Sequence, residues 1–138
     1  MKKPLRKNQS RAGSATRRQL EYDVLVHHCR KDKERLIRRL ASHLHGNAHG
    51  CLVYKAAAHD RAGGYPKISF RYEGQHVLIA ACRVFLILKT CAPIPLGFEA
   101  GHTCPEAARS TREDKGCVRH LELQHCRENA ADNARPQR

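Results

Sequence analysis

One short stretch of the chain, GHTCPEAARSTREDKGCVRHLELQHCREN, concentrates side chains that could bind a metal or take part in catalysis. It spans residues 101–129, and the candidates are His102, Cys104, Cys117, His120, His125, Cys126 and Asn129. Thiolate and imidazole groups are the ligands that zinc prefers, and structural zinc sites use four of them. These residues could therefore hold a metal, catalyse a reaction, pair as disulfides or be ordinary buried cysteines and surface histidines.

The first possibility is a structural zinc site. Cys104, Cys117 and His120 flank an irregular loop with few apolar residues, so a metal could order it. Cys51 follows Gly50 at the start of a predicted strand and is a plausible fourth ligand. The spacing predicts zinc held by these residues, although the interval between Cys104 and Cys117 is longer than in a zinc-finger knuckle. Buried free cysteines are the alternative.

The second possibility is catalysis of phosphodiester hydrolysis. That reaction needs a base to activate water, a divalent ion and a cation on the phosphate. His102 ends a predicted strand beside Cys104, where a zinc site would fix its position. Asn129 lies in the last predicted helix, and its amide oxygen suits a hard ion such as Mg²⁺. Only His102 combines the end of a predicted strand with a zinc site beside it, so we interpret the histidines outside residues 101–129 as surface or packing residues.

Composition favours a single domain that binds nucleic acid. A chain of 138 residues with 41% hydrophobic residues can bury only a modest core, and domains of this kind often need a metal or disulfides. The net charge of +13 is typical of a nucleic-acid-binding protein. The alternatives are a basic protein kept soluble by its charge and a membrane-surface binder, but no amphipathic anchor accompanies the charge.

The seven cysteines cannot all pair within one chain, because their number is odd. The basic N-terminus lacks the apolar run of a signal peptide, and the longest apolar run, HVLIAACRVFLIL, is too short to span a bilayer. We therefore expect a cytoplasmic, intracellular protein that does not enter a membrane. In that compartment cysteines bind metal more often than they form disulfides, which argues against a disulfide-rich secreted binder.

The elements that position the candidate residues follow from the periodicity of the chain. Residues 1–18 carry seven Lys or Arg and no acid, which predicts a disordered basic arm that contacts phosphates or has no specific role. Residues 19–46 have leucines at helical spacing among many cations, which predicts a basic helix. This helix either lies along DNA or presents a solvated face. Residues 47–138 form the third region and contain the candidate site.

Strand and helix patterns alternate in this third region. The predicted strands are CLVYKAA, KISFRY, QHVLI, FEAGH and LELQ, and the predicted helices are AACRVFLILKT and RENAADNA. The first three strands suggest a β-hairpin or a small meander. Alternation along KISFRY places Lys67, Ser69 and Arg71 on one face. Because β-ribbons can read bases in the major groove, these three residues and Arg61 are the candidate DNA contacts.

The order of motifs between residues 50 and 133 resembles that of the His-Me finger (HNH, or ββα-metal) nucleases. The resemblance is closest to the zinc-containing homing endonucleases of the His-Cys box type. The matching segments are Gly50-Cys51-Leu52-Val53-Tyr54, Gly64-Tyr65, Ala92-Pro93-Ile94-Pro95-Leu96-Gly97, His102-Thr103-Cys104, Cys117, His120-Leu121 and Glu128-Asn129.

This resemblance implies an α+β fold with a small zinc-stabilised ββα-metal (His-Me finger) core, accompanied by the hairpin or meander and the basic helix. It implies that His102 is the general base and that Asn129 binds the catalytic magnesium. Arg83 would contact phosphate or brace the site. The zinc ligands implied are Cys51, Cys104, Cys117 and His120.

The chain departs from the family pattern at three places. Cys82 stands where a histidine normally precedes Arg83. Twelve residues separate Cys104 from Cys117, more than is usual, and the Asn-Pro pair before the loop histidine is missing. His125 and Cys126 are alternatives to His120 as a ligand.

The predicted function is that of a metal-dependent endonuclease, of the phage or intron type, that hydrolyses phosphodiester bonds in double-stranded DNA. Structural zinc and catalytic magnesium would be its cofactors. The alternative is a non-catalytic, zinc-stabilised DNA-binding protein. Because the chain continues only briefly after Asn133, we expect a monomer, with a homodimer left open.

Overall fold

The computed structural model describes residues 15–48, 50–55, 66–105, 117–119 and 121–125, with only the backbone at residue 125. The fold is mixed α+β, with two helices and three antiparallel two-stranded sheets in these residues. The helices are α1 (Ala15–Ala41) and α2 (Ala81–Thr90), and the strands are β1 (Leu44–Gly46), β2 (Leu52–Tyr54), β3 (Lys67–Tyr72), β4 (Gln75–Ala80), β5 (Phe98–His102) and β6 (Leu121–His125). The sheets pair β1 with β2, β3 with β4, and β5 with β6.

Helix α1 does not have the limits that its sequence predicts. It begins at Ala15, inside the stretch predicted to be a disordered arm, and ends at Ala41 rather than at residue 46. Leu44–Gly46 forms β1 instead and pairs with β2, with Leu44 opposite Tyr54. The backbone of β1 gains its hydrogen bonds from β2, the next strand along the chain, so formation of this hairpin outweighs the helical spacing of the leucines.

A break at Asp32 divides α1 into two segments. Asp32 has an extended backbone, with φ −164° and ψ 89°, within an otherwise helical run. Its Oδ1 accepts a hydrogen bond from the backbone N–H of Arg35 at 3.1 Å. A side-chain oxygen that bonds the N–H three residues ahead is the geometry of a helix N-cap. Asp32 therefore starts a new helical segment, residues 33–41.

Strands β3 and β4 form a hairpin whose two faces differ in polarity, as the alternation predicts. The turn at Glu73 and Gly74 has positive φ at both residues, 50° and 75°, which suits the right-handed twist of a two-residue hairpin. One face is buried against the helices through Ile68, Phe70, Val77 and Ile79. Lys67 and Arg71 lie on the opposite, exposed face.

The main core lies between the two helices and the apolar face of this hairpin. Its buried side chains include Val24, Leu25, Leu36, Leu40, Ile68, Phe70, Val77, Ile79, Val84, Leu86 and Ile87. Leu121 at the start of β6 joins the same cluster, so the β5–β6 pair is anchored on α2. This packing holds β5, which ends at His102, against the rest of the domain.

Two buried arginines tie the helices to their surroundings. Arg83 on α2 donates from Nε to Glu21 Oε1 at 2.9 Å, and both residues are buried, with 7% and 1% of their surface exposed. Nη1 of Arg18 lies within 3.3 Å of Ile94 O, 2.9 Å of Pro95 O and 2.6 Å of Phe98 O. Arg18 thus fixes the segment that leads into β5.

Neither helix in the described part of the chain combines the length and the apolar composition needed to cross a membrane.

Candidate metal centre and catalytic site

A compact turn presents Cys51 at the start of β2. The side-chain oxygen of Asn47 accepts the backbone N–H of Cys51 at 3.0 Å, and the N–H of Asn47 donates to Cys51 O at 3.2 Å. Gly50 adopts φ +78°, a left-handed conformation that favours glycine. The resulting reversal between β1 and β2 directs a thiol inward from a turn that is held by its own backbone.

Two other cysteines reach the same place from distant parts of the chain. Cys104 follows the end of β5, and Cys117 pairs with Val53 of β2 through an isolated β-bridge. The N–H of Val118 donates to Leu52 O at 2.8 Å, which continues this pairing by one residue. Strand β2 therefore aligns Cys117 beside Cys51, while β5 delivers Cys104.

The three thiols form a buried cluster that could bind a metal ion such as zinc. Their Sγ atoms all lie within 4.8 Å of one another, and Cys51, Cys104 and Cys117 are 1%, 5% and 0% exposed. A tetrahedral zinc ion with Zn–S bonds of about 2.3 Å requires sulfur atoms about 3.8 Å apart. The spacing and the soft sulfur donors therefore fit a structural zinc site, which would take one further ligand.

The protonation of these thiols depends on whether a cation is bound. The hydrogen bond with Cys117 and burial both raise the pKa of Cys104, and burial is the main cause that raises the pKa of Cys51. An unpaired thiolate is costly in such a site because burial disfavours charge. A bound divalent cation reverses this preference, so metal binding would release protons from the cluster.

Several predicted site residues lie outside the described residues. They are His120, proposed as the fourth zinc ligand, Asn129, proposed as the magnesium ligand, Arg61 of the DNA-contacting set, and the alternative ligand Cys126. The side chain of the other alternative, His125, is also outside the description. Their roles remain predictions from the sequence.

His102 lies at the end of β5, as the sequence predicts. It stands opposite Leu121 in the register with β6, and its side chain is half-buried. Gly101 beside it leaves room for the side chain of Gln124, because a Cβ at position 101 would overlap that side chain. The chain runs on directly from His102 to Cys104 of the cysteine cluster. The backbone that carries the imidazole is therefore held by both the β5–β6 pair and the cluster.

Arg83 is engaged inside the domain. Its guanidinium forms the buried ion pair with Glu21, and Arg17 lies 3.5 Å from the other carboxylate oxygen of Glu21. This pair joins α2 to α1, and the two roles that the resemblance implied for Arg83, contact with phosphate or bracing of the site, stay predictions. The sequence had no signal for Glu21 as its partner, because 62 positions separate the two residues.

The exposed face of the β3–β4 hairpin carries three of the four predicted DNA contacts and two residues that were not assigned to it. Lys67 and Arg71 are exposed, and Ser69 is half-buried between them. The register places His76 opposite Arg71 and Leu78 opposite Ser69, so both share this face. Alternation in QHVLI could have identified them. We call this face, formed by Lys67, Ser69, Arg71, His76 and Leu78, the ribbon face.

In comparisons of this chain with protein-family models, with curated proteins and with solved structures, no match was found.

Proposed function

We propose that this protein is a zinc-stabilised, metal-dependent endonuclease that cleaves double-stranded DNA. The observation that carries the proposal is the position of His102, at the end of one strand of an antiparallel pair and next to Cys104 of a buried three-cysteine cluster. The finer ββα-metal (His-Me finger) arrangement, which also needs a helix after β6, is part of this proposal. So are the resemblance to that nuclease family and the cytoplasmic location.

The cysteine cluster has a structural role in this proposal. Cys51, Cys104 and Cys117 would hold zinc with His120 as the fourth ligand, and a site with four protein ligands leaves no position open for substrate. The ion would fix the loop between Cys104 and Cys117 and, through it, the end of β5. Catalysis is then assigned to His102 rather than to the cluster.

His102 would act as the general base. One of its ring nitrogens takes a proton from the attacking water as that water adds to phosphorus, and the bond between phosphorus and the leaving oxygen breaks. General-base catalysis of this kind typically contributes 10²–10⁴-fold to the rate. Asn129 would hold Mg²⁺, which supplies charge stabilisation at the phosphate oxygens when it is bound.

The ribbon face would lie in the major groove. A two-stranded antiparallel ribbon fits the width of that groove, and its outward side chains can reach base edges. Lys67, Ser69 and Arg71 provide donors on this face, and the high positive charge of the whole chain favours phosphate binding.

The test is nicking of supercoiled plasmid in a Mg²⁺ titration. We expect the cleavage rate of His102→Ala to fall by at least about 10²-fold, the low end of the usual effect of losing a general base. Its metal content, circular dichroism and DNA affinity should stay close to those of the unmodified protein. His45→Ala, which changes an exposed histidine of β1, is the matched control and should cleave normally. Full activity of His102→Ala would show that another group is the base.

Asn129→Ala separates metal binding from proton transfer in the same assay. Because this substitution weakens the proposed Mg²⁺ site, excess Mg²⁺ should restore part of the activity, whereas it should not restore that of His102→Ala. If the unmodified protein contains zinc and binds DNA but never cleaves it, the non-catalytic DNA-binding alternative is supported instead.

A further inference from the structure

We propose that residues 33–41 of α1 form a phosphate-contacting element that flanks the ribbon face on DNA. We call these residues the distal segment. This inference rests on the proposed DNA binding, and it assigns to the helix a contact that is separate from base recognition. It also decides between the two roles that the sequence left open for the basic helix, a DNA-contacting element or a solvated face.

The distal segment is cationic on its solvent side. Leu36 and Leu40 are buried in the core and anchor it, whereas Lys33, Arg35 and Arg38 are exposed. Glu34 is the one acidic residue among its nine positions. The carboxylate of Asp32, just before the segment, is engaged in the N-cap. Local acids therefore neutralise little of the charge that this surface presents.

Side chains of α1 fix the distal segment at the edge of β3 that faces away from β4. Nη2 of Arg39 donates to Ser69 O, and its Cζ lies 5.1 Å from the centre of the Phe70 ring. One helical segment earlier, Nε2 of His28 donates to Arg71 O at 2.8 Å. With a two-residue turn, Tyr72 and Gln75 form the hydrogen-bonded pair, so the carbonyls of Ser69 and Arg71 point away from β4.

This attachment sets the distance between the two positive surfaces. Arg35 and Arg38 lie within about one turn, roughly 5 Å of helix, from Arg39. Arg39 itself reaches the strand that displays Lys67 and Arg71. A ribbon in the major groove is bordered by a phosphate backbone on each side, and arginine binds phosphate oxygens through paired donors. The distal segment is thus placed to contact the backbone along the β3 side of the groove.

The experiment measures DNA affinity of the full chain across a salt series, with a labelled duplex and the variant Arg35→Ala/Arg38→Ala. Each lost phosphate contact should reduce the slope of log affinity against log salt by about 0.9, so the double variant should lose about 1.8. We define the sequence preference as the affinity for the duplex that the unmodified protein binds most tightly, divided by the affinity for a duplex of the same bases in scrambled order. This preference should stay unchanged in the double variant. The pair Lys67→Ala/Arg71→Ala should weaken that preference.

The matched control is Lys55→Ala/Lys89→Ala, which removes the same charge from two other exposed positions. A lower slope for Arg35→Ala/Arg38→Ala together with an unchanged slope for Lys55→Ala/Lys89→Ala supports the inference. An equal change in both double variants, or none in Arg35→Ala/Arg38→Ala, would overturn it, because net charge alone would then explain binding. Failure of the unmodified protein to bind DNA would instead refute the proposed function. Circular dichroism of every variant checks that a change in DNA affinity does not result from loss of the fold.

Discussion

At the scale of single residues, Glu21 carries the most consequential buried charge of the described residues. Its Oε1 accepts hydrogen bonds from Nε and Nη2 of Arg83, at 2.9 Å and 2.5 Å. Its Oε2 lies 3.5 Å from Nε of Arg17 on the preceding turn. Because the carboxylate is shielded from water, removing the main partner leaves a charge that solvent cannot stabilise.

We therefore expect Arg83→Met to lower the free energy of unfolding by about 3 kcal/mol, a cost typical of an unpaired buried charge. The double variant Glu21→Leu/Arg83→Met removes both charges and should recover most of that loss. Urea denaturation of the two variants checks the pair. A loss below about 1 kcal/mol in Arg83→Met would indicate that Arg17 or water replaces the missing partner.

At the scale of elements, the break in α1 decides where the distal segment points. The extended backbone at Asp32 interrupts the helix, and the cap on the N–H of Arg35 starts it again. The restart directs Leu36 and Leu40 into the core and brings Arg39 to the edge of β3. The backbone conformation and the cap at Asp32 thus determine where the positive surface of the distal segment lies.

Asp32→Ala removes this cap and should cost about 1 kcal/mol of stability, as is usual for a lost N-cap side chain. Asp32→Asn is the matched control, because its side-chain oxygen still accepts the N–H of Arg35. Guanidinium denaturation of both variants provides the measurement. Equal stability of the alanine and asparagine variants would contradict a capping role for Asp32.

At the scale of the whole molecule, the cysteine cluster adds a second contact between segments that also meet in the main core, where Tyr54, Val118 and Leu121 are buried. Cys51, Cys104 and Cys117 come from a turn, a strand end and a β-bridge, and they form a cluster separate from the main core, with Val53 packed against it. A metal ion here would connect the β1–β2 pair to the β5–β6 pair. In such sites much of the metal-binding free energy is folding free energy.

We expect close to one zinc ion per chain and a lower melting temperature after treatment with a strong chelator. Chelation should also expose three further thiols to a thiol reagent, those of Cys51, Cys104 and Cys117. Cys82 should stay unreactive because it is buried in the main core, and its burial raises the pKa of the thiol to about 11.

Cys104→Ser should lose the zinc, whereas Cys91→Ser, which changes an exposed cysteine, should keep it. Elemental analysis, differential scanning calorimetry and thiol titration measure these outcomes. A metal-free protein that melts at the same temperature as the purified one would show that the cluster is only a packed group of free cysteines.

Much of the fold was predictable from local patterns. Alternation along KISFRY and QHVLI identified β3, β4 and the two faces of their hairpin, because a strand with one buried face requires a period of two. The apolar run of α2 and the short strands around His102 were predictable in the same way. Cys51, Cys104 and Cys117 could be proposed as partners because their residue types share a known coordination chemistry.

The remainder depended on contacts between residues that are far apart in the sequence. An exception is the stretch near Leu44, where helical spacing was outweighed by pairing with β2, the next strand along the chain. The charge pattern placed Arg17 and Arg18 in the predicted disordered arm. In the structure, both donate hydrogen bonds to backbone carbonyls of distant segments. Arg83 could be recognised as important, but only the tertiary structure shows that Glu21 is its partner. The sequence determined which groups could act, and the packing decided which of them meet, because burial and pairing are properties of positions in space.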